Sequence, residues 1–128
     1  MTNKTCLIVD DSGIVRKVIR GHLESMGFVC SEAEDGATAL RHCVAPGPKP
    51  DLIMLDWNMP VMTGIEFLRA LRVIEGGDAP IVIFCTTENT MAKMCEAMEA
   101  GAQDFIMKPF DREILQVKLE QNGLLEGG

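Results

Sequence analysis

Short apolar runs alternate with amphipathic helical segments along the whole chain, and this alternation limits the possible folds more than any other feature. Four runs contain almost no polar residue, which is typical of parallel strands that are buried on both faces. These runs are residues 6–9, 52–55, 81–85 and 105–107. A fifth candidate strand, Val29 to Ala33, includes Ser31 and Glu32, so we expect it to be more exposed and nearer an edge of the sheet.

Between these runs, apolar residues recur at helical spacing. The first helix is predicted from Ile14 to Met26, with Gly27 as its C-cap, and a fifth helix is expected after Asp111, a favourable N-cap residue. The others are predicted near residues 36–44, 64–73 and 90–100. Five strand–helix units predict an α/β fold with a parallel sheet and helices on both faces. The pattern uses the whole chain, so we expect one domain over residues 1–128.

The composition narrows the class of protein further. The 128 residues include 12 Lys and Arg against 19 Asp and Glu, and the net charge of −7 argues against nucleic acid as a partner. No apolar run approaches the roughly 20 residues that a membrane span needs. Five cysteines are scattered without a Cys-x-x-Cys pair, and four of them lie in apolar contexts, which predicts reduced core thiols in a cytoplasmic protein. His22 and His42 lie in helical segments, away from the strand ends, and we expect structural or solvated roles for them.

Polar residues follow the apolar runs at the edge where open parallel sheets bind ligands. Asp10 and Asp11 follow the first run, and Asp56, Thr86 and Lys108 follow the runs at 52–55, 81–85 and 105–107. Taken singly, an Asp can be a helix cap and a Lys can be solvated, but here all five converge. Converging carboxylates stay ionised when a hard divalent cation lies among them, and oxygen ligands alone favour Mg²⁺. A carboxylate nucleophile, a metal and a lysine indicate a site that accepts a phosphoryl group.

In order and spacing, these motifs resemble the receiver domain of two-component response regulators, over about residues 4–121. The resemblance is carried by Leu7-Ile8-Val9-Asp10-Asp11-Ser12, by the segment Asp51 to Pro60 around Asp56-Trp57-Asn58, by Thr86, and by Lys108-Pro109-Phe110. It is strongest to the chemotaxis-type members that consist of a receiver domain alone. It implies a flavodoxin-like, doubly wound (βα)5 fold whose five-stranded parallel sheet has the order 2-1-3-4-5.

The resemblance also implies a role for each matching residue. Asp56 would accept the phosphoryl group from a sensor histidine kinase, Thr86 would hydrogen-bond that group, and Lys108 would pair with one of its oxygens. The Lys108–Pro109 peptide would be cis. The implied Mg²⁺ ligands are Asp10 (through water), Asp11, Asp56 and the backbone carbonyl of Asn58.

Two further positions would influence how fast the phosphoryl group is lost. In the family, the residues two positions after the acceptor and two after the threonine help to control access of water. Here they are Asn58 and Glu88, both polar, so we expect a short-lived phosphoryl group.

The fourth helix contains an apolar stripe with two possible roles. Met91, Met94, Cys95 and Met98 are spaced i, i+3, i+4 and i+7, and such a stripe usually faces the core. Methionine also suits adaptable binding surfaces. By resemblance, Phe105 would be the switch aromatic, and a partner (a motor, an adaptor or a kinase) would bind the phosphorylated form. We expect this partner site to include Met94, Met98, Phe105 and Lys118, on a monomer with no enzymatic activity of its own.

Three other functions remain to be compared with this one. A phosphate sink or phosphorelay intermediate would share the site but have no downstream target. An aspartyl-phosphate phosphohydrolase would have an Asp-x-Asp motif at this point, with the second Asp acting as acid and base. Here the residue two after Asp56 is Asn58, which cannot titrate. A flavodoxin is disfavoured because Asp10 and Asp11 would repel the phosphate of FMN, and because only 5% of residues are aromatic.

Overall fold

The computed structural model describes residues 3–59, 61–87 and 90–125, and strands and helices alternate through them as the sequence predicts. The strands are β1 (Thr5–Val9), β2 (Val29–Ala33), β3 (Leu52–Asp56), β4 (Ile81–Thr86) and β5 (Asp104–Met107). The helices are α1 (Gly13–Ser25), α2 (Gly36–Val44), α3 (Gly64–Arg72), α4 (Met91–Ala100) and α5 (Arg112–Gln121). All strand pairs are parallel, and the sheet order is β2-β1-β3-β4-β5. The flavodoxin-like fold is therefore confirmed.

The sheet has a hydrophobic core on each face, because successive side chains of a strand point to opposite faces. On one face, Leu55 of β3 and Phe84 of β4 pack with α2, α3 and α4. On the other face, Met54 and Ile83 pack with α1 and α5. Every residue of β3 is buried, whereas the edge strand β2 is exposed at Val29 and Glu32, as its polar residues predict.

Side-chain caps fix where the helices begin. Each N-cap side chain accepts a hydrogen bond from the backbone N–H three residues later; the caps are Ser12, Asp35, Thr63, Thr90 and Asp111. The predicted helix ends are correct to within one or two residues: α1 has Met26 as its C-cap, and Gly27 follows in the left-handed region at φ 96°.

The cysteines and histidines agree with expectation, except that Cys95 does not lie in the core. Four of the free cysteines, Cys6, Cys30, Cys43 and Cys85, are buried, and Cys95 is exposed. His22 is half-buried and His42 is exposed. In the part of the chain that the structure describes, no helix has the length and apolar character needed to cross a membrane.

Candidate functional site

An acidic cluster lies at the carboxyl edge of the sheet. Asp56 is the last residue of β3, and Asp10 directly follows the neighbouring strand β1, where Val9 pairs with Leu55. Asp10, Asp11 and Asp56 each place a carboxylate oxygen within 4.8 Å of the others. Asp10 and Asp56 are 2% and 9% exposed, whereas Asp11 is exposed. The predicted convergence of carboxylates is therefore present, with Asp11 on its solvent side.

Lys108 joins the two buried carboxylates. Its Nζ lies 2.9 Å from Oδ2 of Asp10 and 2.9 Å from Oδ1 of Asp56. Its backbone N–H donates to the carbonyl of Thr86 at 2.8 Å, which ties the end of β5 to the end of β4. The Lys108–Pro109 peptide is cis, as the resemblance implies. The ammonium group is thus fixed at the acidic cluster by both its side chain and its backbone.

Burial and charge act against each other at this cluster. Burial raises the pKa of Asp56, and the charges of Asp10 and Asp11 raise it further. The hydrogen bond from Lys108 lowers the pKa but does not outweigh these effects, so the pKa of Asp56 lies above its ordinary value. Burial also acts to lower the pKa of Lys108, but hydrogen bonds to Asp10 and Asp56 outweigh that effect and raise it. Lys108 is therefore charged at neutral pH. Lys108 pairs with two of the three carboxylates of the cluster, so the cluster keeps an excess of negative charge.

Backbone contacts hold Asp10 in place. Its Oδ1 accepts a hydrogen bond from the backbone N–H of Ser12 at 2.9 Å, and its own N–H donates to the carbonyl of Ala33 at 3.1 Å. Nη1 of Arg16 donates to the Asp10 carbonyl at 2.7 Å, while Nε of Arg16 pairs with Glu32 at 2.9 Å. Sequence reasoning gave Arg16 no role, since only the fold brings β2 and α1 together here.

The segment after Asp56 packs closely against β4. The ring centroids of Trp57 and Phe84 lie 4.8 Å apart, and the N–H of Gly64 donates to the carbonyl of Trp57 at 3.2 Å. A Cβ on Gly64 would collide with the carbonyl of Asp56 and would lie 2.7 Å from the Phe84 ring. Only glycine fits there, so Gly64 sets how close α3 approaches the acceptor. The sequence showed Gly64 merely as the start of a helix.

The other predicted site residues lie around this cluster. Thr86 is the last residue of β4, is 7% exposed and pairs in register with Met107, next to Lys108. Asn58 is exposed, two residues beyond Asp56. Glu88 and Pro60 lie outside the described residues.

Comparison with known proteins identifies the family. The family model of the response regulator receiver domain matches residues 6–120. The chain belongs to the response regulator receiver family. This receiver domain is 39% identical over 116 residues to the chemotaxis protein CheY of Pseudomonas aeruginosa, and the alignment covers 90% of this chain and 92% of that protein.

Solved structures agree with this assignment. The chemotaxis protein CheY4 of Vibrio cholerae superposes with a TM-score of 0.87 at 33% identity, covering 94% of this receiver domain and 98% of that chain. The receiver domain of a sensor histidine kinase from Pseudomonas aeruginosa gives a TM-score of 0.84 at 28% identity, covering 94% and 97%. That structure has a magnesium ion coordinated in its active-site cleft. The resemblance inferred from the motifs is thus confirmed.

In this receiver domain, the methionine stripe of α4 faces outward. Met91 and Met98 are 75% and 49% exposed, Cys95 is exposed and Met94 is half-buried. Ala97 is the buried residue of the helix. Of the two roles considered for this stripe, the core-facing one is wrong, because Ala97, and not the methionines, is the residue of α4 that lies in the core. Partial exposure of Met94 and Met98 is confirmed.

Phe105 and Lys118 form the neighbouring part of that surface. Phe105, on β5, is half-buried, and Nζ of Lys118 on α5 lies 5.1 Å from the centroid of its ring. Lys118 also pairs with Asp104 at 3.0 Å. The two predicted residues therefore contact each other, and Asp104 holds the lysine in position.

Proposed function

We propose that residues 1–128 act as one receiver domain that accepts a phosphoryl group on Asp56 from a sensor histidine kinase. The observation that carries the proposal is Lys108, whose ammonium group lies 2.9 Å from a carboxylate at the end of the central, fully buried strand. A cation fixed there is placed to neutralise the charge of an oxyanion added to that carboxylate.

The proposed transfer is an in-line displacement at phosphorus. A carboxylate oxygen of Asp56 forms a bond to phosphorus, the phosphorus–nitrogen bond of the phosphohistidine breaks, and its electron pair returns to the imidazole of the kinase. Lys108 stabilises the charge on the transferred oxygens, and the hydroxyl of Thr86 donates a hydrogen bond to one of them. Attack by water on phosphorus later releases phosphate and restores the Asp56 carboxylate.

The acidic cluster fits Mg²⁺ by its donor set. Three carboxylates within 4.8 Å of one another, two of them paired with the ammonium group of Lys108, offer oxygen ligands and an excess of negative charge. Asp10, Asp11, Asp56 and the backbone carbonyl of Asn58 would hold the ion, Asp10 through water. When bound, Mg²⁺ would neutralise part of the charge on the phosphoryl oxygens. The related kinase receiver domain with a magnesium ion in its cleft supports this proposal.

The output is proposed to be binding of a protein target, in chemotaxis-type signalling in the cytoplasm. The named function of the Pseudomonas aeruginosa relative supports the pathway, and the exposed Met91 and Met98 support a binding surface on α4. The partner site would comprise Met94, Met98, Phe105 and Lys118 on a monomer, and the target would be a motor, an adaptor or a kinase.

Labelling with acetyl phosphate and Mg²⁺ tests the acceptor. We expect Asp56→Asn to lose all label, because an amide cannot attack phosphorus. Asp51→Asn is a matched control: Asp51 precedes the same strand at the opposite edge of the sheet and is exposed. It should label like the wild type. Label that persists in Asp56→Asn would assign the chemistry to another residue.

Two further measurements separate this function from its alternatives. A receiver domain should not turn over an added phosphomonoester such as p-nitrophenyl phosphate, whereas a phosphohydrolase would. A pull-down with labelled and unlabelled protein distinguishes an output protein from a phosphate sink, since a sink retains no target when phosphorylated.

A further inference from the structure

Arg72, the last residue of α3, connects segments that are far apart in the chain. Its Nε and Nη2 donate to the carbonyl of Gly101 at 3.1 and 2.7 Å, and Nη1 donates to the carbonyls of Gly77 and Pro80 at 2.8 and 2.9 Å. Nη2 also donates to Oε1 of Gln103 at 3.0 Å. All five N–H donors of a guanidinium are therefore engaged. The end of α3, the α3–β4 loop and the connection from α4 to β5 meet at this one side chain.

The charge of Arg72 faces the C-terminal end of α4. All five hydrogen bonds go to neutral oxygens; burial lowers the pKa of Arg72, and the charge of Asp78 acts against that change. The C-terminal end of a helix has a partial negative charge and favours a nearby cation, yet the last turn of α4 contains no basic residue of its own. Arg72 thus supplies from α3 the positive charge that α4 lacks.

The two ends of α4 are held differently. Gly101, its left-handed C-cap at φ 110°, lies so close to Arg72 that a Cβ there would be 2.9 Å from Nε. Toward the other end, Nζ of Lys93 lies 5.1 Å from the centroid of the Trp57 ring, next to the acceptor Asp56. Ala97 is the one buried residue among the ten of α4, all of which are described. The N-terminal half of α4 therefore touches the acceptor segment, and the C-terminal end is fixed to the scaffold.

We propose that Arg72 is a positioning residue that makes the C-terminal end of α4 a pivot. A change at Asp56 then moves the N-terminal half of the helix, with its exposed methionines, while Gly101 stays in place. The inference rests on the proposed function, because the phosphoryl group on Asp56 supplies that change. Without the pivot, the same change would disorder α4 along its whole length and would not produce a directed movement.

Amide hydrogen exchange, measured with Mg²⁺ and with or without beryllium fluoride as the phosphoryl mimic, tests this pivot. In the wild type, we expect the mimic to change exchange in residues 91–95 and leave residues 97–102 unchanged. In Arg72→Met, the amides of Gly101 and Ala102, which donate to Met98 and Ala97, should exchange about tenfold faster without the mimic. With the mimic, the change in this variant should extend over the whole helix.

Two variants make the comparison specific. Arg69→Met removes the other arginine of α3. Arg69 is exposed and makes only a long contact, 3.8 Å, with Glu96, so this variant should behave like the wild type. Arg72→Lys keeps the charge but not the planar set of five donors, so its exchange should fall between wild type and Arg72→Met. If Arg72→Met does not fold, the lysine variant decides the question.

The outcomes separate this inference from the proposed function. No response of wild-type protein to beryllium fluoride would overturn both. If the wild type responds and the response of the Arg72 variants also stays confined to residues 91–95, the pivot alone would be overturned. Spread of the response through residues 97–102 in the Arg72 variants, but not in Arg69→Met, would support it.

Discussion

At the scale of single residues, Val61 has an unfavourable backbone conformation close to the acceptor. Its φ is 72°, in the left-handed region, although a β-branched side chain is poorly tolerated there. The side chain is 84% exposed, so burial of apolar surface does little to offset the strain. Val61 lies between β3, which ends at Asp56, and α3. The strain is thus located in the segment that connects the acceptor to the next helix.

Replacing Val61 with Asn should stabilise the fold, because Asn tolerates the left-handed region. We expect the free energy of unfolding to rise by about 1 kcal/mol, measured by urea denaturation. Val73→Asn is the matched control: Val73 is also 84% exposed but has φ −98°, so no comparable gain is expected. Equal gains at the two positions would show that removing an exposed valine, and not relieving its backbone conformation, causes the increase in unfolding free energy.

At Gly64 we expect a substitution to destabilise the fold, because a side chain there has no space. Gly64→Ala would push α3 away from the Asp56 carbonyl and the Phe84 ring, and we expect a loss of about 1–3 kcal/mol of stability together with slower labelling by acetyl phosphate. Gly21→Ala, in the middle of α1 with nothing within 4 Å of its added Cβ, should gain about 0.5–1 kcal/mol. Normal labelling by a stable Gly64→Ala protein would remove Gly64 from the positioning of the acceptor.

At the scale of elements, β5 and α5 are joined through Asp104. Its carboxylate accepts hydrogen bonds from Nζ of Lys118 and Nδ2 of Asn122, each at 3.0 Å, and from the N–H of Phe105 at 2.8 Å. Burial acts to raise the pKa of Asp104, but these hydrogen bonds outweigh it, so the pKa lies below its ordinary value. The carboxylate therefore stabilises the fold while it is ionised.

This stabilisation should disappear in acid. Because the pKa is lower in the folded protein than in the unfolded chain, the contribution is complete above roughly pH 5 and is lost as the pH falls below about 4. The carboxylate is only partly buried, so solvent limits the effect to no more than about 1 kcal/mol. We expect the difference in unfolding free energy between wild type and Asp104→Asn to be constant from pH 7 to 5 and to shrink below pH 4. Glu75→Gln, which removes an exposed carboxylate, controls for net charge; a difference for Asp104→Asn that does not vary with pH would contradict the assignment.

The elements also show where sequence periodicity is sufficient and where it is not. Buried strands and amphipathic helices could be placed within one or two residues, because their patterns reflect burial directly. On α4 the same reasoning left two roles open for the methionine stripe, since the spacing of large apolar residues does not reveal that the small Ala97 makes the contact with the core. A helix attached through an alanine can present its largest apolar residues to solvent.

At the scale of the whole molecule, topology explains why most of the site could be predicted. Asp10, Asp56, Thr86 and Lys108 each lie at the carboxyl end of a strand or directly after it, and a parallel sheet brings all those ends to one edge. Arg72 and Gly64 could not be predicted in the same way. Their roles depend on distances between segments that only the packed structure fixes, and neither residue type nor spacing signals them.

Mg²⁺ should stabilise the whole fold, since the carboxylates it would bind converge only when the sheet is formed. At about ten times its dissociation constant, the ion should raise the free energy of unfolding by about 1.4 kcal/mol, and EDTA should reverse the effect. Trp57, the only tryptophan, should report binding through its emission because it adjoins Asp56. Asp11→Asn should abolish both responses, whereas Asp51→Asn should retain them; identical melting temperatures of the wild type in Mg²⁺ and EDTA would argue against the metal site.

The sheet order has a consequence for how the protein is made. The ribosome synthesises β1 first, yet β1 lies between β2 and β3, so its second neighbour emerges only with residues 52–56. From that moment a nascent chain can bring Asp10 and Asp56 together, but the lysine that neutralises them is synthesised about fifty residues later. During that interval the two carboxylates lack the ammonium group that contacts both of them in the folded protein. The complete site therefore needs Lys108, so nearly the whole chain must be synthesised before all of its residues are present.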